Sequence, residues 1–226
     1  MSGNELFFSR IELLTGGPDV WNWDPYRSHQ FLWDFFKNHP DQRRDFLYRF
    51  ELNRGKPCYY VVSMRRPEER GFPWKLGIKP YNPVVRVGET LSFNLRVNPT
   101  VDTLLNGKKQ RQDIIMARKR KLGEDWARQT TQAQLLQSEG VAWLTRKAEL
   151  HGFQISTNSV RVDGYQQHSF HKASDPRGKR PPITVRTMDF HGVLKVTDPN
   201  RFRETLYSGV GRGKAFGCGL LLVKRR

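Results

Sequence analysis

The sequence predicts an α+β fold in which the order β-α-β-β-α-β occurs twice in tandem. Three observations carry this. Short apolar runs with strand-like patterning recur at residues 6–14, 46–52, 58–64 and 90–97. Two Asp-Pro pairs, Asp24-Pro25 and Asp198-Pro199, each combine a good N-cap with a proline at the first helical position, where a missing N–H costs nothing. Gly-, Pro- and Asn-rich breakers stand between the runs.

In the first half, Leu6 to Leu14 reads as a strand, ended by Gly16-Gly17-Pro18. A helix starting at Asp24-Pro25 presents Phe31, Leu32, Phe35 and Phe36 at helical spacing, and Asn38-His39-Pro40-Asp41 ends it. Strands at Phe46–Leu52 and Cys58–Met64 flank a turn at Asn53-Arg54-Gly55-Lys56-Pro57. Arg65 to Phe72 is the weak second-helix position, and Lys75 to Tyr81 is a further strand.

Pro83 to Gly88 reads as a junction, which divides the chain into units 1–87 and 88–226. Thr90 to Val97 then alternates cleanly, with Leu91, Phe93, Leu95 and Val97 on one face. Residues 105–122 are polar and basic and read as a loop or hairpin tip. Trp126 to Leu150 is helical. Phe153–Val162 and Ile183–Val196 pair as strands around a Gly/Pro/Lys/Arg-rich insertion. A short helix runs from Asp198-Pro199 to Tyr207, and Leu220–Val223 is a last strand after the glycine-rich run 209–219. The element order is that of the ferredoxin-like, or RRM-like, unit: an open antiparallel sheet with helices on one face.

Composition sets the function class. The chain has 226 residues, with 39 Lys plus Arg against 22 Asp plus Glu, a net charge of +17. That excess points to a polyanionic partner, with nucleic acid first, since clustered cations are rewarded by phosphate neutralisation. No run approaches the roughly 20 apolar residues of a membrane span. The N-terminal residues lack the pattern of a secretory signal. Cys58 and Cys218 make neither a disulfide framework nor a CxxC zinc motif, as expected of a cytoplasmic protein.

The excess charge is concentrated. Lys108, Lys109, Arg111, Arg118, Lys119, Arg120 and Lys121 fall in 105–122 against one acid, Asp113. Lys172, Arg177, Lys179, Arg180 and Arg186 fall in the insertion against Asp175. A basic loop is often merely solvated, but two in one half favour a nucleic-acid groove. The run Ser208 to Gly219 fails both GxGxxG and the P-loop, since Lys214 and Ala215 occupy required positions. It reads either as a tight turn packing helix on sheet, or as a close-approach backbone presenting Arg212 and Lys214 to an anion.

His29 is the titratable residue most suited to chemistry. Near a helix N-terminus its imidazolium form is disfavoured, and a neutral ring accepts a hydroxyl proton. Tyr26, three residues earlier, lies on the same face. A Tyr/His pair without carboxylates suits metal-free RNA cleavage by the 2′-hydroxyl, although a histidine at a helix start also serves as a capping or surface group. His168 and His171 lack a third ligand, and no clustered carboxylates suggest a two-metal site.

Several motifs together resemble the CasE family, the CRISPR-RNA-processing endoribonucleases of type I-E systems. Ser9-Arg10-Ile11 resembles the opening strand, and Tyr26 through Trp33 resembles the YxxHxxLW helix start. Pro40-Asp41 with Arg44-Asp45-Phe46-Leu47 follows at the family's spacing. Phe93 through Pro99 is similar to FxLRxNP, and Ala142-Trp143-Leu144 with Arg146-Lys147 to AWLxRK. Gly209-Val210-Gly211 and Lys214 through Leu221 resemble the glycine-rich ending. The departures are a few extra N-terminal residues and the basic tail Lys224-Arg225-Arg226.

The resemblance implies two ferredoxin-like domains and cleavage at the 3′ base of the repeat hairpin of precursor CRISPR RNA. It implies a metal-independent reaction that leaves a 2′,3′-cyclic phosphate and a 5′-hydroxyl and needs no cofactor. It also implies retention of the product within the Cascade complex. The family's active-site pair falls on His29, as general base or acid, and Tyr26, beside the phosphate. The RNA-binding set is then Arg27, Lys108, Lys109, Arg111, Arg118, Lys119, Arg120, Lys121, Arg161, Arg177, Lys179, Arg180, Arg212 and Lys214. The alternative is a non-catalytic RNA-binding or assembly subunit; the RNP1 signature of a generic RRM is not visible.

Overall fold

The structure is a computed structural model that describes residues 5–14, 24–36, 44–105, 107–171 and 181–226. Two antiparallel sheets organise it. In the first, β1 (Phe7–Leu13), β2 (Phe46–Asn53), β3 (Lys56–Ser63) and β4 (Trp74–Pro80) lie in the order β2-β3-β1-β4, with α1 (Pro25–Trp33) connecting β1 to β2. This is the ferredoxin-like strand order.

The β2–β3 turn is tighter than the sequence predicts. Lys56 and Pro57 join β3, so only Arg54 and Gly55 turn the chain, with φ of 51° and 77°. Both lie in the left-handed region that a two-residue hairpin demands. α1 ends at Trp33, and Phe35 and Phe36 are buried from the turn beyond it; the expected terminator, residues 38–41, lies outside the described residues. The second-helix position of this unit holds no helix. Residues 65–73 run irregularly because Pro67, Gly71 and Pro73 interrupt them and no apolar repeat recurs. Arg65 anchors the segment instead, with Nε and Nη2 donating to the Asp45 carboxylate at 2.6 and 2.8 Å.

The second sheet contains β5 (Thr90–Val97), β8 (Phe153–Ile155), β10 (Ile183–Val196) and β11 (Leu221–Arg225), in the order β11-β5-β10-β8, the same topology repeated. Its helices are α4 (Gln132–Leu150), opened by a capping box of Thr131 and Gln134, and α5 (Pro199–Ser208), capped by Asp198. β9 (Arg161–Phe170) pairs along β10 from Arg161↔His191 to Phe170↔Ile183. The hairpin therefore extends further than expected: Arg186 lies in β10, not in the insertion, and its Nη2 donates to Gln167 at 2.6 Å. Lys172, Arg177, Lys179 and Arg180 fall outside the described residues.

The basic stretch 105–122 is not a loop. β6 (Thr100–Leu105) and β7 (Lys108–Asp113) form a two-stranded ribbon that runs into α2 (Ile114–Leu122). A short α3 (Trp126–Gln129) follows. The ribbon is hydrogen-bonded to neither sheet, and its second strand, β7, is exposed along most of its length and carries no apolar alternation for the sequence to show. Asp113 caps α2, accepting from the Ile115 and Met116 amides, and also accepts from the Tyr165 hydroxyl at 2.8 Å.

The two sheets share a junction through β2. Phe46 and Tyr48 face α1 and pack with Ile11, Leu32, Phe35, Phe36, Tyr59 and Val61. Leu47 faces the other way, onto Val62, Leu220 and Tyr207. Arg49 also lies on that face and is 1% exposed. Its guanidinium pairs with Glu51 and, at 3.7 Å, with Asp189 of β10. Asp189 in turn receives Arg96 of β5 through both carboxylate oxygens, at 2.8 and 2.7 Å, while Arg96 Nη1 reaches the Phe50 carbonyl at 3.3 Å. Removing one partner of such a buried group leaves uncompensated charge, which costs about 3–5 kcal/mol. Asp189→Ala is therefore expected to lower unfolding free energy by about 3 kcal/mol in urea titration, whereas Asp125→Ala, at an exposed pair with Arg128, changes it by less than about 1 kcal/mol.

Candidate active site

α1 positions the site. The Asp24 carboxylate accepts from the Arg27 amide at 2.8 Å and sets the helix start. One turn on, the Ser28 hydroxyl meets the Tyr59 hydroxyl at 3.1 Å in the sheet below, which fixes the rotation of the helix. His29 is thereby turned into an aromatic setting: its ring stacks on Tyr48 (6.4 Å, 13°) and lies 5.9 Å from Phe46 and 6.0 Å from Trp33.

The imidazole is held by one hydrogen bond. Trp33 Nε1–H donates to His29 Nε2 at 3.2 Å. An indole nitrogen only donates, so Nε2 keeps its lone pair and the neutral ring carries its proton on Nδ1. Nδ1 is buried and has no hydrogen-bond partner among the described residues. The His29 pKa falls from its ordinary value to about 4, first through burial and second through the charge of Arg44. The sequence predicts this direction from the helix N-terminus. His29, however, is the fifth residue of α1, beyond the first turn, and burial acts in its place.

The glycine-rich run approaches α1 from the second sheet. The Tyr48 hydroxyl is shared between the Pro25 carbonyl at the start of α1 (3.0 Å) and the Ala215 carbonyl in the run (3.2 Å). Gly217, with φ of 74°, lies against the Tyr48 ring, where an added Cβ would come within 3.2 Å. Gly219, with φ of 92°, would bring a Cβ within 2.9 Å of the Val210 carbonyl. The run is thus a tight packed turn, and it also delivers Lys214 to a cleft of about 450 Å³ shared with Arg44, Phe46, Leu47, Tyr207 and Glu204. Burial and the neighbouring Arg44 charge lower the Lys214 pKa.

Tyr26 stacks on Phe170 (6.1 Å, 14°), which packs on Phe216 of the glycine run at 5.2 Å. Its hydroxyl receives Gln30 Nε2 at 3.4 Å. No ring or hydrogen-bond contact joins Tyr26 to His29 among the described residues. Tyr26 lies in the first turn of α1 and His29 three residues on, in the middle of the helix.

The basic candidates separate into groups. Arg27 is exposed on the first turn of α1. Lys109 and Arg111 both pair with Asp102 across the ribbon, at 3.5 and 3.1 Å, and Lys108 is exposed at its tip. On α2, Arg118 pairs with Glu139 at 3.2 Å, Lys119 lies 3.8 Å over the Trp126 ring, and Arg120 and Lys121 are exposed. Arg161 is exposed on β9. Arg212 lines a polar pocket with Arg111, Arg146 and Lys147. The sequence does not single out Arg44, Tyr48 or Trp33 as site residues. Arg44 follows residues that read as a helix terminator, and only the fold brings its charge to His29. Among the described residues, no group of three His, Cys, Asp or Glu is placed to hold a metal ion, and no helix is long and apolar enough to cross a membrane.

The His29 environment has a measurable consequence. NMR titration is expected to show His29 neutral down to about pH 4, and Arg44→Met raises that pKa while leaving it below 6.5, because burial, the larger cause, remains. Since the folded pKa lies below the unfolded one, this group's contribution to stability is fully present above pH 6.5 and is lost as pH falls toward 4. His29→Gln flattens that part of the stability profile.

Comparison with known proteins agrees with the geometry. The Cascade subunit CasE of Escherichia coli K12 is 28% identical over 209 residues, covering 89% of this chain and 92% of that protein. The CRISPR-associated endoribonuclease Cse3 of Thermus thermophilus is 29% identical over 213 residues, covering 88% and 90%. A solved structure of Thermus thermophilus Cse3, bound to an RNA representing a pre-cleavage complex, superposes with a TM-score of 0.72 at 26% identity, over 97% of this chain and 99% of that one. The sequence model of the family described as CRISPR associated protein matches residues 6–225, nearly the whole chain, and the protein belongs to that family.

Proposed function

We propose that this protein is an endoribonuclease that cleaves the repeat hairpin of precursor CRISPR RNA at its 3′ base and retains the product as a Cascade subunit. The observation that carries the reading is a neutral, partly buried His29 under the charge of Arg44, which lines one cleft with Lys214, in a family whose relatives include a named endoribonuclease. The work is done in the prokaryotic cytoplasm, where Cys58 and Cys218 remain buried thiols. Residues 1–87 form the unit that carries the catalytic helix, and residues 88–226 form the unit that grips the RNA.

The chemistry needs only side chains. The 2′-oxygen attacks the adjacent phosphorus; the new 2′-O–P bond forms as the bond from phosphorus to the 5′-oxygen breaks. With the Trp33 N–H displaced from Nε2, the neutral imidazole accepts the 2′-hydroxyl proton there, and a proton is returned to the departing 5′-oxygen. The products are a 2′,3′-cyclic phosphate and a 5′-hydroxyl, and no metal takes part. A bound phosphate places negative charge beside His29 and raises its pKa from about 4 toward the working pH. Tyr26 lines the approach of the phosphate, and Lys214 offers it a cation.

RNA grip follows from the exposed cations. Lys108, Lys109 and Arg111 on the ribbon, Arg118 to Lys121 on α2, and Arg161 and Arg212 offer a basic surface with no cofactor requirement. Arg27 flanks the chemistry, and Arg177, Lys179 and Arg180 extend the set. Arg matches planar acceptors, and Lys matches single phosphates.

The decisive experiment incubates labelled cognate repeat RNA with purified protein in EDTA. One discrete shorter product is expected from the wild type. His29→Ala is expected to reduce the cleavage rate by about 10²–10⁴-fold with hairpin affinity nearly unchanged. Wild-type cleavage by that variant removes His29 from the mechanism. Strict magnesium dependence points to other chemistry, and tight binding without any cleavage favours an assembly subunit.

A further inference from the structure

We propose that Arg44 is a further catalytic residue, whose guanidinium binds the non-bridging oxygens of the scissile phosphate and stabilises the charge that builds there. This inference rests on the endoribonuclease reading above and adds a group to it.

The argument begins with what Arg44 lacks. Among the described residues, three arginines have a buried N–H without a hydrogen-bond partner: Arg10 at Nε, and Arg44 and Arg49 at Nη1. Arg10 is nonetheless paired with Glu12 at 3.0 Å, and Arg49 with Glu51 and Asp189. Arg44 alone of the three holds no carboxylate among the described residues. A half-buried guanidinium left in that state is unfavourable, because the partial loss of water is not offset by a fixed anion. The adjacent acid is directed elsewhere, since Asp45 accepts from Arg65 through both oxygens. Glu204 on the same cleft wall holds neither Arg44 nor Lys214 in an ion pair among the described residues.

The surroundings suit an anion that arrives from outside. Arg44 and Lys214 line one cleft, two cations supplied from opposite sides of the junction. Phe46, Leu47, Val62 and Tyr207 make much of the remaining wall apolar, which strengthens any charge interaction formed there. Phe46 also touches the His29 ring, so the cleft adjoins the imidazole. The Arg44 charge is felt at both His29 and Lys214, so its guanidinium is the point common to the imidazole and the second cation. A phosphate at that point satisfies the orphan Nη1, neutralises the two cations and lies next to the proton-transfer group. The planar guanidinium can hold two non-bridging oxygens at once, which an ammonium cannot.

The test compares single-turnover cleavage of the cognate hairpin with binding of the same hairpin carrying a 2′-deoxy substitution at the cleavage site, which cannot react. Arg44→Ala is expected to slow cleavage by about 10²–10³-fold while changing the affinity for the deoxy hairpin by less than about tenfold, the pattern of an interaction made in the transition state. Added guanidinium ion at millimolar concentration restores part of the rate. Should Arg44→Ala fail to fold, Arg44→Lys carries the comparison, with at least about a tenfold loss of rate at unchanged melting temperature. Cleavage by either folded variant within about threefold of wild type overturns the inference while leaving the endoribonuclease reading intact. Rate and affinity falling in parallel, without rescue by guanidinium, also overturn it. Failure of the wild type to cleave overturns the endoribonuclease reading itself, and this inference with it.

Discussion

The buried guanidinium of Arg49, placed against Asp189, is the constraint on which the junction rests. Arg49 sits on the face of β2 that turns away from α1, a face that would meet solvent in an isolated unit. Asp189 in the second sheet, held by Arg96 through two hydrogen bonds, supplies the anion. Charges taken from water in this way are tolerated only when they are paired. The network therefore discriminates against other docking arrangements of the two sheets more than it adds stability. Around it, Leu47, Val62, Leu220 and Tyr207 supply the apolar burial.

With the sheets locked, a second set of contacts aligns the chemistry. Tyr48 lies one residue before Arg49 and points to the opposite face of β2, as strand alternation requires. Its hydroxyl touches the backbone at the start of α1 and at the glycine run together. One strand thus carries the junction on one face and the site on the other. Displacement of the second sheet would move Lys214 relative to His29 through the same few residues.

The site also shows how an aromatic setting tunes a titratable group. His29 is surrounded by Trp33, Phe46 and Tyr48, and its only hydrogen bond among the described residues comes from the Trp33 indole. Trp33 itself packs on Phe46 and lies 5.9 Å from the Arg65 guanidinium, which Asp45 holds. The chain Asp45–Arg65–Trp33–His29 holds the ring at Nε2. Desolvation keeps the imidazole neutral, and the neighbouring Arg44 charge acts in the same direction until an anion binds.

The two α+β repeats are legible in the sequence because alternation and the Asp-Pro helix starts are local signals. His29, Tyr26 and Lys214 are legible too, through short motifs resembling one family. The tight β2–β3 turn, the missing second helix of the first unit and the basic ribbon are less so. In β7, exposed along most of its length, neither a period-two nor a helical repeat is written into the residues. What surrounds the imidazole is settled by tertiary packing alone. Arg44 is far from Lys214 in sequence and Arg49 far from Asp189, and no local pattern encodes that they meet. Burial, which sets the state of His29, is a property of the packed junction rather than of any segment.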